Sequence, residues 1–141
     1  MSYAFGARSQ KNLDTCHEHL ILVANEAIRF VDFSVIEGNR SVKRQHELFL
    51  DGKSEIDGIN QMGMHNYQPS LAFDLLPYPA KMHGKNIWLD ASRFTLFAGF
   101  ILGIGRSLAL DLRWGGDWNS DWSTTDQNFN DLPHFELRGA T

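Results

Sequence analysis

The strongest structural constraint in this sequence is an aspartate within an apolar run. In the segment LAFDL, the apolar residues Leu71, Phe73 and Leu75 point one way along an extended strand. Ala72 and Asp74 then point the other way. A carboxylate buried in a strand needs a partner, because an isolated charge is costly to remove from water. The run therefore predicts a strand whose second face brings Asp74 to another polar group or to neighbouring backbone.

Two histidines elsewhere in the chain are candidate partners for Asp74. His65 lies in the turn-rich segment MHNYQPS, and His134 opens a short FEL strand with Asp131 three residues before it. Zinc with a catalytic role usually keeps three protein ligands and leaves a fourth position to water. His65, Asp74 and His134 match such a set, and Asp131 is then a spare carboxylate that can take a proton from the water. A strand-end aspartate bonded to backbone and a histidine of the core are the alternatives.

Composition places the chain among ordinary globular proteins. Its 141 residues predict a single domain, 1–141, with 43% hydrophobic and 21% charged residues. A formal net charge of -4 lacks the basic footprint of a protein that binds duplex nucleic acid, so no nucleic-acid partner is expected. The single cysteine, Cys16, cannot form an internal disulfide, and stability therefore does not depend on an oxidising compartment.

The apolar segments predict neither a secretory signal nor a membrane span. The N-terminus, MSYAFGARSQ, has no apolar core followed by a small-residue cleavage site. The most apolar stretch, FTLFAGFILGIG, is shorter than the ~20 residues that cross a bilayer, so it predicts a central core helix and no membrane partner. Gly99, Gly103 and Gly105 within it are expected where another element packs closely.

Hydrophobic periodicity predicts three helices. The first covers about residues 11–31 with Ser9 as its N-cap, because its apolar residues recur at spacings of three and four. Ser41 is the expected cap of the second. The third begins at Asp90 or Ser92 and runs to about residue 110.

Short β-branched, aromatic or alternating runs predict four strands. They are FSVI at 33–36, LAFDL at 71–75, LDLRW at 110–114 and FEL at 135–137. Polar loops rich in Gly, Asp and Asn separate several of these elements. Helices and strands in this order predict an α+β fold with a small, mainly antiparallel sheet.

The first predicted helix carries a second cluster of metal-binding residue types. Cys16 and His19 share a helix face at i, i+3, and His17 lies between them. The cluster lacks the HExxH spacing that places two histidines one turn apart around a general base. Residues of the helix surface are its simpler interpretation.

Two further features have both a functional and a structural interpretation. Arg40 follows the EGN turn, where a strand gives way to a helix, and such positions often carry a residue that reaches a site; a solvated turn arginine is the alternative. Trp118 and Trp122 lie in a long polar loop. They favour a substrate rim or, equally, aromatic residues folded back on the core.

Four blocks of sequence together resemble a known family. They are EGNRS, HNYQPSLAFDLLPYP, LRWGGDWN and DLPHFEL, and they occur in the family's order between about residues 5 and 137. The chain resembles the M15 family of zinc peptidases, which includes D-Ala-D-Ala carboxypeptidases and L-alanyl-D-glutamate peptidases. Within it, the chain is most similar to the single-domain phage endolysins. The resemblance implies the hedgehog and D-Ala-D-Ala peptidase fold, a small antiparallel sheet flanked by helices.

The resemblance also implies roles for individual residues. The ligands of one zinc ion per chain are His65, Asp74 and His134. Asp131 is the catalytic carboxylate, and Arg40 stabilises the carbonyl of the substrate. Arg40, Gln45, Trp114 and Trp118 are expected to contact the substrate, with Trp122 extending the same aromatic wall of an open groove.

Two positions depart from the family pattern. Gly63 stands where the family commonly has a serine, and the step from His65 to Asp74 is nine residues where seven are common. Neither change removes a ligand. Both changes affect the turn that positions the His65 side chain at the site.

The implied function is hydrolysis of the L-Ala-D-Glu bond in the peptide stems of peptidoglycan. A D-Ala-D-Ala carboxypeptidase of the same fold and a non-catalytic peptidoglycan-binding module are the alternatives. We expect a monomer, made in the host cytoplasm without a signal peptide and let out at lysis. It then acts on the periplasmic peptidoglycan of a Gram-negative host.

Overall fold

The computed structural model describes residues 3–139, in which helices pack against a four-stranded sheet. The α-helices of this range are α1 (Ala7–Leu13), α2 (Glu18–Ala27), α3 (Val42–Leu50) and α4 (Ala91–Ser107). The strands of the sheet are β1 (Phe33–Glu37), β2 (Ala72–Pro77), β5 (Leu112–Gly115) and β6 (Asp131–Leu137), and β3 (Lys81–Met82) and β4 (Lys85–Asn86) form a separate hairpin. Single 3-10 turns cover Met64–Asn66 and Ile87–Leu89. The predicted α+β class is confirmed.

The sheet is antiparallel throughout, in the order β1-β2-β6-β5. Alternate side chains of every strand enter one hydrophobic core on the side of α2 and α4. The residues on this face are Phe33, Val35, Phe73, Leu75, Leu112, Trp114, Phe135 and Leu137. The opposite face carries the polar residues of the two central strands and of β5, so the register of the sheet sorts the apolar core from the polar site.

The register aligns polar residues across neighbouring strands on that second face. Asp74 of β2 pairs directly with His134 of β6, and Arg113 of β5 pairs with Glu136. An irregularity between Val35 and Glu37 in β1 shifts the pairing so that Glu37 lies opposite Asp74. In a regular strand, Glu37 would face the core as Val35 does, because residues two positions apart share a face. The irregularity instead turns Glu37 toward the polar face.

The predicted first helix, 11–31, is wrong in its continuity. Two helices, α1 and α2, replace it, because the chain between them forms backbone bonds with a distant loop: Ser70 N–H donates to Thr15 O, and His17 N–H donates to Ser70 O. Ser9 is not the N-cap. It lies inside α1, and its hydroxyl accepts a hydrogen bond from Val35 N–H of β1.

The caps of the other two helices agree with the sequence. The Ser41 side chain accepts from Arg44 N–H at the start of α3, and the Asp90 side chain accepts from Arg93 N–H at the start of α4. Helix α4 ends at Ser107, earlier than predicted, and it is not buried all round, since Leu96 is 79% exposed. No helix in residues 3–139 has the length and apolarity needed to span a membrane.

One of the three glycines in α4 lies at a close contact. A Cβ atom at Gly105 would lie 2.7 Å from Cδ1 of Leu112 in β5, so the helix approaches the sheet there. The positions of Gly99 and Gly103 open into free space. The expectation of close packing is therefore confirmed for Gly105 and wrong for the other two.

Candidate active site

Three side chains converge on one point on the polar face of the sheet. His65 Nε2 lies 3.0 Å from Asp74 Oδ1 and 3.2 Å from His134 Nδ1, and His134 Nδ1 lies 3.4 Å from the same Asp74 oxygen. All three residues are buried. Within the described part of the chain, they form the group of ligand-type residues suited to holding a metal ion.

The outer nitrogens of both imidazoles are already engaged by acceptors. His65 Nδ1–H donates to the carbonyl of Gly38 at 2.7 Å, and His134 Nε2–H donates to Glu136 Oε1 at 2.8 Å. A neutral imidazole carries one N–H, so its other nitrogen is a lone pair. His65 Nε2, His134 Nδ1 and the Asp74 carboxylate therefore present three acceptors to one another. Only a cation, as a metal ion or as added protons, satisfies that arrangement.

The spacing of these atoms fits tetrahedral coordination. Ligands at ~2.0–2.1 Å from zinc and at the tetrahedral angle lie ~3.3 Å from one another. The three measured separations of 3.0, 3.2 and 3.4 Å surround that value. Two imidazoles and one carboxylate form a donor set that suits a catalytic zinc with a fourth position free.

In the absence of a metal, the residues themselves supply the positive charge. Burial opposes ionisation of Asp74, but the adjacent His65 and His134 outweigh it and hold the pKa of the carboxyl below its ordinary value. Burial likewise opposes a charged His134, but hydrogen bonds to Asp74 and Glu136 prevail and raise its pKa to about 9. A metal ion entering the site must therefore displace a proton from His134.

Asp131 lies beside the three residues without joining them. Its Oδ2 is 3.9 Å from His134 Nδ1, and its side chain is 37% exposed, so one side of the carboxylate faces open space. Burial and the neighbouring charge of Asp74 raise its pKa, against the opposing effects of His134, His65 and Arg40. The Asp131 carboxylate thus lies next to the point on which the three side chains converge, and its raised pKa favours acceptance of a proton.

Arg40 is aimed at the same point by two neighbours. Its Nε and Nη2 donate to the two oxygens of Glu37 at 2.7 and 2.6 Å, and its Nη1 donates to Gln45 Oε1 at 2.9 Å. Nη2 also lies 3.9 Å from Asp74 Oδ2. The planar guanidinium is therefore held in one orientation at the edge of the site, as a bidentate pair requires.

Gln45 is buried, and its amide is fully engaged. Besides accepting from Arg40, it donates from Nε2 to Ser54 Oγ and to the carbonyl of Ile56, each at 2.8 Å. Gln45 lines the cleft, but its predicted contact with a substrate stays a prediction. However, it orients Arg40 and the loop after α3 and does not present a free polar group to a substrate.

The loop before β2 holds His65 through backbone contacts. Arg40 N–H donates to the carbonyl of His65, and Asn66 Nδ2 donates to the carbonyl of Arg40. The longer step to Asp74 leaves His65 in contact with its partners. At Gly63, a Cβ would meet nothing closer than 3.4 Å, so the missing serine does not alter the packing of the turn.

A cleft of about 1040 Å³ runs across the site between two loops. One wall comes from α3 and the loop after it, and the other comes from the loop after β5, including Trp118 and Phe129. The Trp118 ring stacks on Phe129 and lies 5.5 Å from the His134 ring, centroid to centroid. Trp118 therefore borders the cleft, and its contact with a substrate stays a prediction.

The predictions for the two neighbouring tryptophans are wrong. Trp114 belongs to the hydrophobic core, with 3% of its surface exposed, and its Nε1–H donates to the carbonyl of Leu132. The alternation of β5 turns it away from the polar face that Arg113 occupies. Trp122 is exposed and lies beside a separate small pocket with Leu102 and Arg138, outside the cleft.

The Cys16, His17 and His19 cluster is structural. Burial raises the pKa of the Cys16 thiol to about 12, which disfavours the thiolate that a metal requires. His17 is the N-cap of α2, and its Nδ1 accepts from His19 N–H. The expectation that Cys16 and His19 share the surface of one helix is wrong, because Cys16 is buried in the break between α1 and α2.

Sequence reasoning missed three charged residues that support the site, namely Glu37, Arg113 and Glu136. A signal was present for Glu136, since residues two apart on a strand share a face and His134 was already a candidate. Glu37 was hidden by the irregularity in β1, which a sequence pattern does not reveal. Arg113 became visible only through its pairing with Glu136 across the sheet.

Comparison with known proteins places this geometry in a family. The family model for phage L-alanyl-D-glutamate peptidases matches residues 1–138. The chain belongs to the phage L-alanyl-D-glutamate peptidase family. This assignment agrees with the sequence resemblance to M15 peptidases. The chain is therefore a member of a family of peptidases.

Individual relatives extend over most of the chain. It is 29% identical over 129 residues to the L-alanyl-D-glutamate peptidase of Escherichia phage T5, covering 90% of each protein. It is 28% identical over 131 residues to the peptidoglycan L-alanyl-D-glutamate endopeptidase CwlK of Bacillus subtilis (strain 168), covering 82% of this chain and 66% of that protein. The crystal structure of the Serratia marcescens L-Ala D-Glu endopeptidase ChiX matches with a TM-score of 0.70 and 29% identity over 96% of this chain and 90% of that one.

Proposed function

We propose that this chain is a zinc-dependent endopeptidase that hydrolyses the L-Ala-D-Glu bond in peptidoglycan stems. The observation that carries the proposal is the convergence of three lone-pair acceptors from His65, Asp74 and His134 on one point. The L-Ala-D-Glu peptidase activity by which the T5, CwlK and ChiX relatives are named supports the choice of bond. The zinc ion would be held by these three side chains, one ion per chain.

Asp131 is the proton carrier of the proposed reaction. A bound zinc ion supplies Lewis acidity, which lowers the pKa of a coordinated water from ~15.7 toward ~7 and polarises the peptide carbonyl. Asp131 takes the proton of the attacking water and returns it to the nitrogen of D-Glu as the peptide bond breaks. Its position 3.9 Å from His134 Nδ1 places it beside the metal ligands without occupying their positions.

Arg40 stabilises the carbonyl oxygen as negative charge develops on it. Its guanidinium is held by Glu37 and Gln45 before any substrate arrives, so little reorganisation is needed. The negative charge of Glu37 offsets much of the positive charge of Arg40. We therefore expect the oriented N–H groups of the Arg40 guanidinium to stabilise the carbonyl oxygen more than its net charge does.

The cleft favours a polymer over a free dipeptide. Its volume lies slightly above the ~300–1000 Å³ typical of small-molecule pockets, and its lining residues come from two loops as well as from His65, Asp74 and His134. An open cleft of this kind suits an endopeptidase, which must accept an internal bond of a polymer, whereas a carboxypeptidase needs to bind only a chain end. A non-catalytic binding module is disfavoured because the metal ligands, Asp131 and Arg40 occur together. We further propose that the chain acts on its wall substrate at lysis, because a similar L-alanyl-D-glutamate peptidase comes from a phage.

Turnover of purified sacculi with and without metal tests the proposal. Protein stripped by a chelator should be inactive, and one equivalent of zinc should restore activity. His65→Ala, Asp74→Ala and His134→Ala should each lose stoichiometric zinc and turnover, whereas Cys16→Ser and His19→Ala should keep both. Loss of zinc in the Cys16 or His19 variants, with zinc retained in the other three, contradicts the assigned ligands.

A further inference from the structure

Glu136 is a buried carboxylate that is not among the converging acceptors. Only 4% of its side chain is exposed, and it lies two residues after His134 on the same face of β6. A charge buried this deeply is tolerated when both oxygens are paired. Oε1 accepts from His134 Nε2–H and Oε2 accepts from Arg113 Nη2, each at 2.8 Å. One side chain therefore touches both a candidate metal ligand and an arginine of the cleft.

Its contact with His134 decides which ring nitrogen faces the metal position. An imidazole offers either nitrogen to a metal, and the hydrogen bond of the other nitrogen fixes the tautomer. With Glu136 accepting from Nε2–H, Nδ1 is left as the lone pair toward His65 and Asp74. His65 is fixed in the opposite sense by the Gly38 carbonyl, so the two histidines present different nitrogens.

Its contact with Arg113 extends the network to the wall of the cleft. The Arg113 guanidinium lies 5.5 Å from the centre of the Trp118 ring, a cation–π distance. Its remaining contacts are weak, since Nη1 lies 3.5 Å from the Trp118 carbonyl and the buried Nε has no partner. The position of Arg113 thus depends mainly on Glu136.

Trp118 is in contact with both partners of Glu136. The centre of its ring lies 5.5 Å from the centre of the His134 ring and 5.5 Å from the Arg113 guanidinium carbon. Its indole N–H donates to the Phe129 carbonyl and ties the ring to the rest of the loop. A shift of the Glu136 carboxylate would therefore affect the metal ligand and the wall of the cleft together.

We propose that Glu136 is a positioning residue that orients His134 Nδ1 toward the metal and, through Arg113, holds Trp118 against the cleft. The inference rests on the proposed function, because it requires a metal at His65, Asp74 and His134. It assigns separate consequences to the two oxygens. Loss of the His134 contact weakens metal binding, and loss of the Arg113 contact weakens substrate binding.

Zinc affinity measured by chelator competition tests the first consequence without any substrate. Glu136→Gln should bind zinc about tenfold more weakly and Glu136→Ala up to about a hundredfold, the range seen when a partner of a ligand histidine is removed. Asp111→Asn is the matched control, because Asp111 pairs with Arg138 outside the cleft. This control should bind zinc like the wild type. In zinc-loaded wild type, nitrogen NMR should show the His134 proton on Nε2, and this signal should be lost in Glu136→Ala.

Arg113→Gln tests the second consequence. This variant removes the positive charge that Glu136 holds beside Trp118. KM for sacculi should therefore rise several-fold, with a smaller change in kcat and with zinc affinity within about threefold of wild type.

Each part of the proposal has its own contradicting result. If the wild type and both Glu136 variants bind zinc equally tightly, the role of Glu136 is overturned and the metal site is not. A wild type that binds no zinc instead overturns the metal centre. Unchanged KM in Arg113→Gln overturns the link to Trp118. Circular dichroism of each variant separates these results from loss of fold, and Glu136→Gln is the variant that best preserves volume.

Discussion

Asp131 is the side chain whose chemistry is easiest to isolate. Asp131→Asn keeps the volume and removes the ability to accept a proton, so fold and zinc content should be retained while turnover falls by roughly a hundredfold to ten-thousandfold. Turnover of sacculi and metal analysis on the same samples measure both. A variant with near wild-type turnover would show that Asp131 is structural.

Arg40 tests whether a fixed fork is required. Arg40→Lys keeps the positive charge but cannot bond both oxygens of Glu37 and the amide of Gln45 in one plane. We expect kcat to fall by at least about tenfold, a smaller effect on KM, and unchanged zinc content. Equal kcat in Arg40→Lys and wild type contradicts the role of directed N–H groups.

The raised pKa of His134 predicts how the stability of the metal-free protein depends on pH. Its pKa is raised to about 9 in the fold, whereas an unfolded histidine titrates near ~6.5. The bound proton therefore stabilises the fold fully below pH ~6.5, and this contribution is lost as the pH rises through about 9. With chelator present, the thermal midpoint should fall between pH 7 and 9.5. With zinc, which binds the deprotonated ring, it should fall less. A flat metal-free profile contradicts the raised pKa.

The residues of the site were predictable where their chemistry stood out from their surroundings. Asp74 in an apolar strand, and His134 three residues after a spare carboxylate, were conspicuous in the sequence. Trp114 was misassigned because a tryptophan next to a polar loop looks the same whether strand alternation turns it inward or outward. Glu37 could not be placed, because its direction depends on an irregularity that no sequence pattern marks.

The contact between β1 and the break from α1 to α2 also serves the site. A Cβ at Gly38 would lie 2.3 Å from Asn12 O and from Thr15 Oγ1, so this position excludes any side chain. The Gly38 carbonyl that accepts from His65 is held by the same packing. Gly38→Ala should therefore displace the backbone, lower stability by about 1–3 kcal/mol, and weaken zinc binding.

Gly99→Ala is the matched control for that substitution. A Cβ at Gly99 meets nothing within 4 Å, and the residue is exposed within α4, so alanine should stabilise the protein by about 0.5–1 kcal/mol without altering zinc affinity. Thermal unfolding and chelator competition measure both variants. Zinc affinity unaffected by Gly38→Ala would mean that the Gly38 carbonyl does not orient His65.

Strands were more predictable than the continuity of the first helix. The apolar spacing that predicted 11–31 is real, since Leu13, Leu20, Ala24 and Ile28 are all buried. Their buried side chains continue the pattern across a break caused by backbone bonds to Ser70. Hydrophobic periodicity reports which residues face the core. It does not report where the backbone finds a distant partner.

Within residues 3–139, the four-stranded sheet separates the hydrophobic core from the candidate site. The face toward α2 and α4 is apolar, and the other carries the candidate metal ligands, Arg113 and Glu136 below an open cleft. Family membership over residues 1–138 and the similarity to ChiX accord with this division. The overall class, the antiparallel sheet and the site face were therefore accessible from the sequence. The loops that form the cleft were not, because their positions depend on side-chain contacts such as Trp118 with Phe129.

Mass analysis of digested sacculi is the most direct test of the proposed activity. Zinc-loaded wild type should produce peptides with a new free N-terminus on D-Glu and should leave L-Ala on the glycan strand. Neither product should form with chelator, and with Asp131→Asn both should form at least about a hundredfold more slowly. Release of free D-Ala with the rest of each stem intact would contradict the account and indicate a carboxypeptidase.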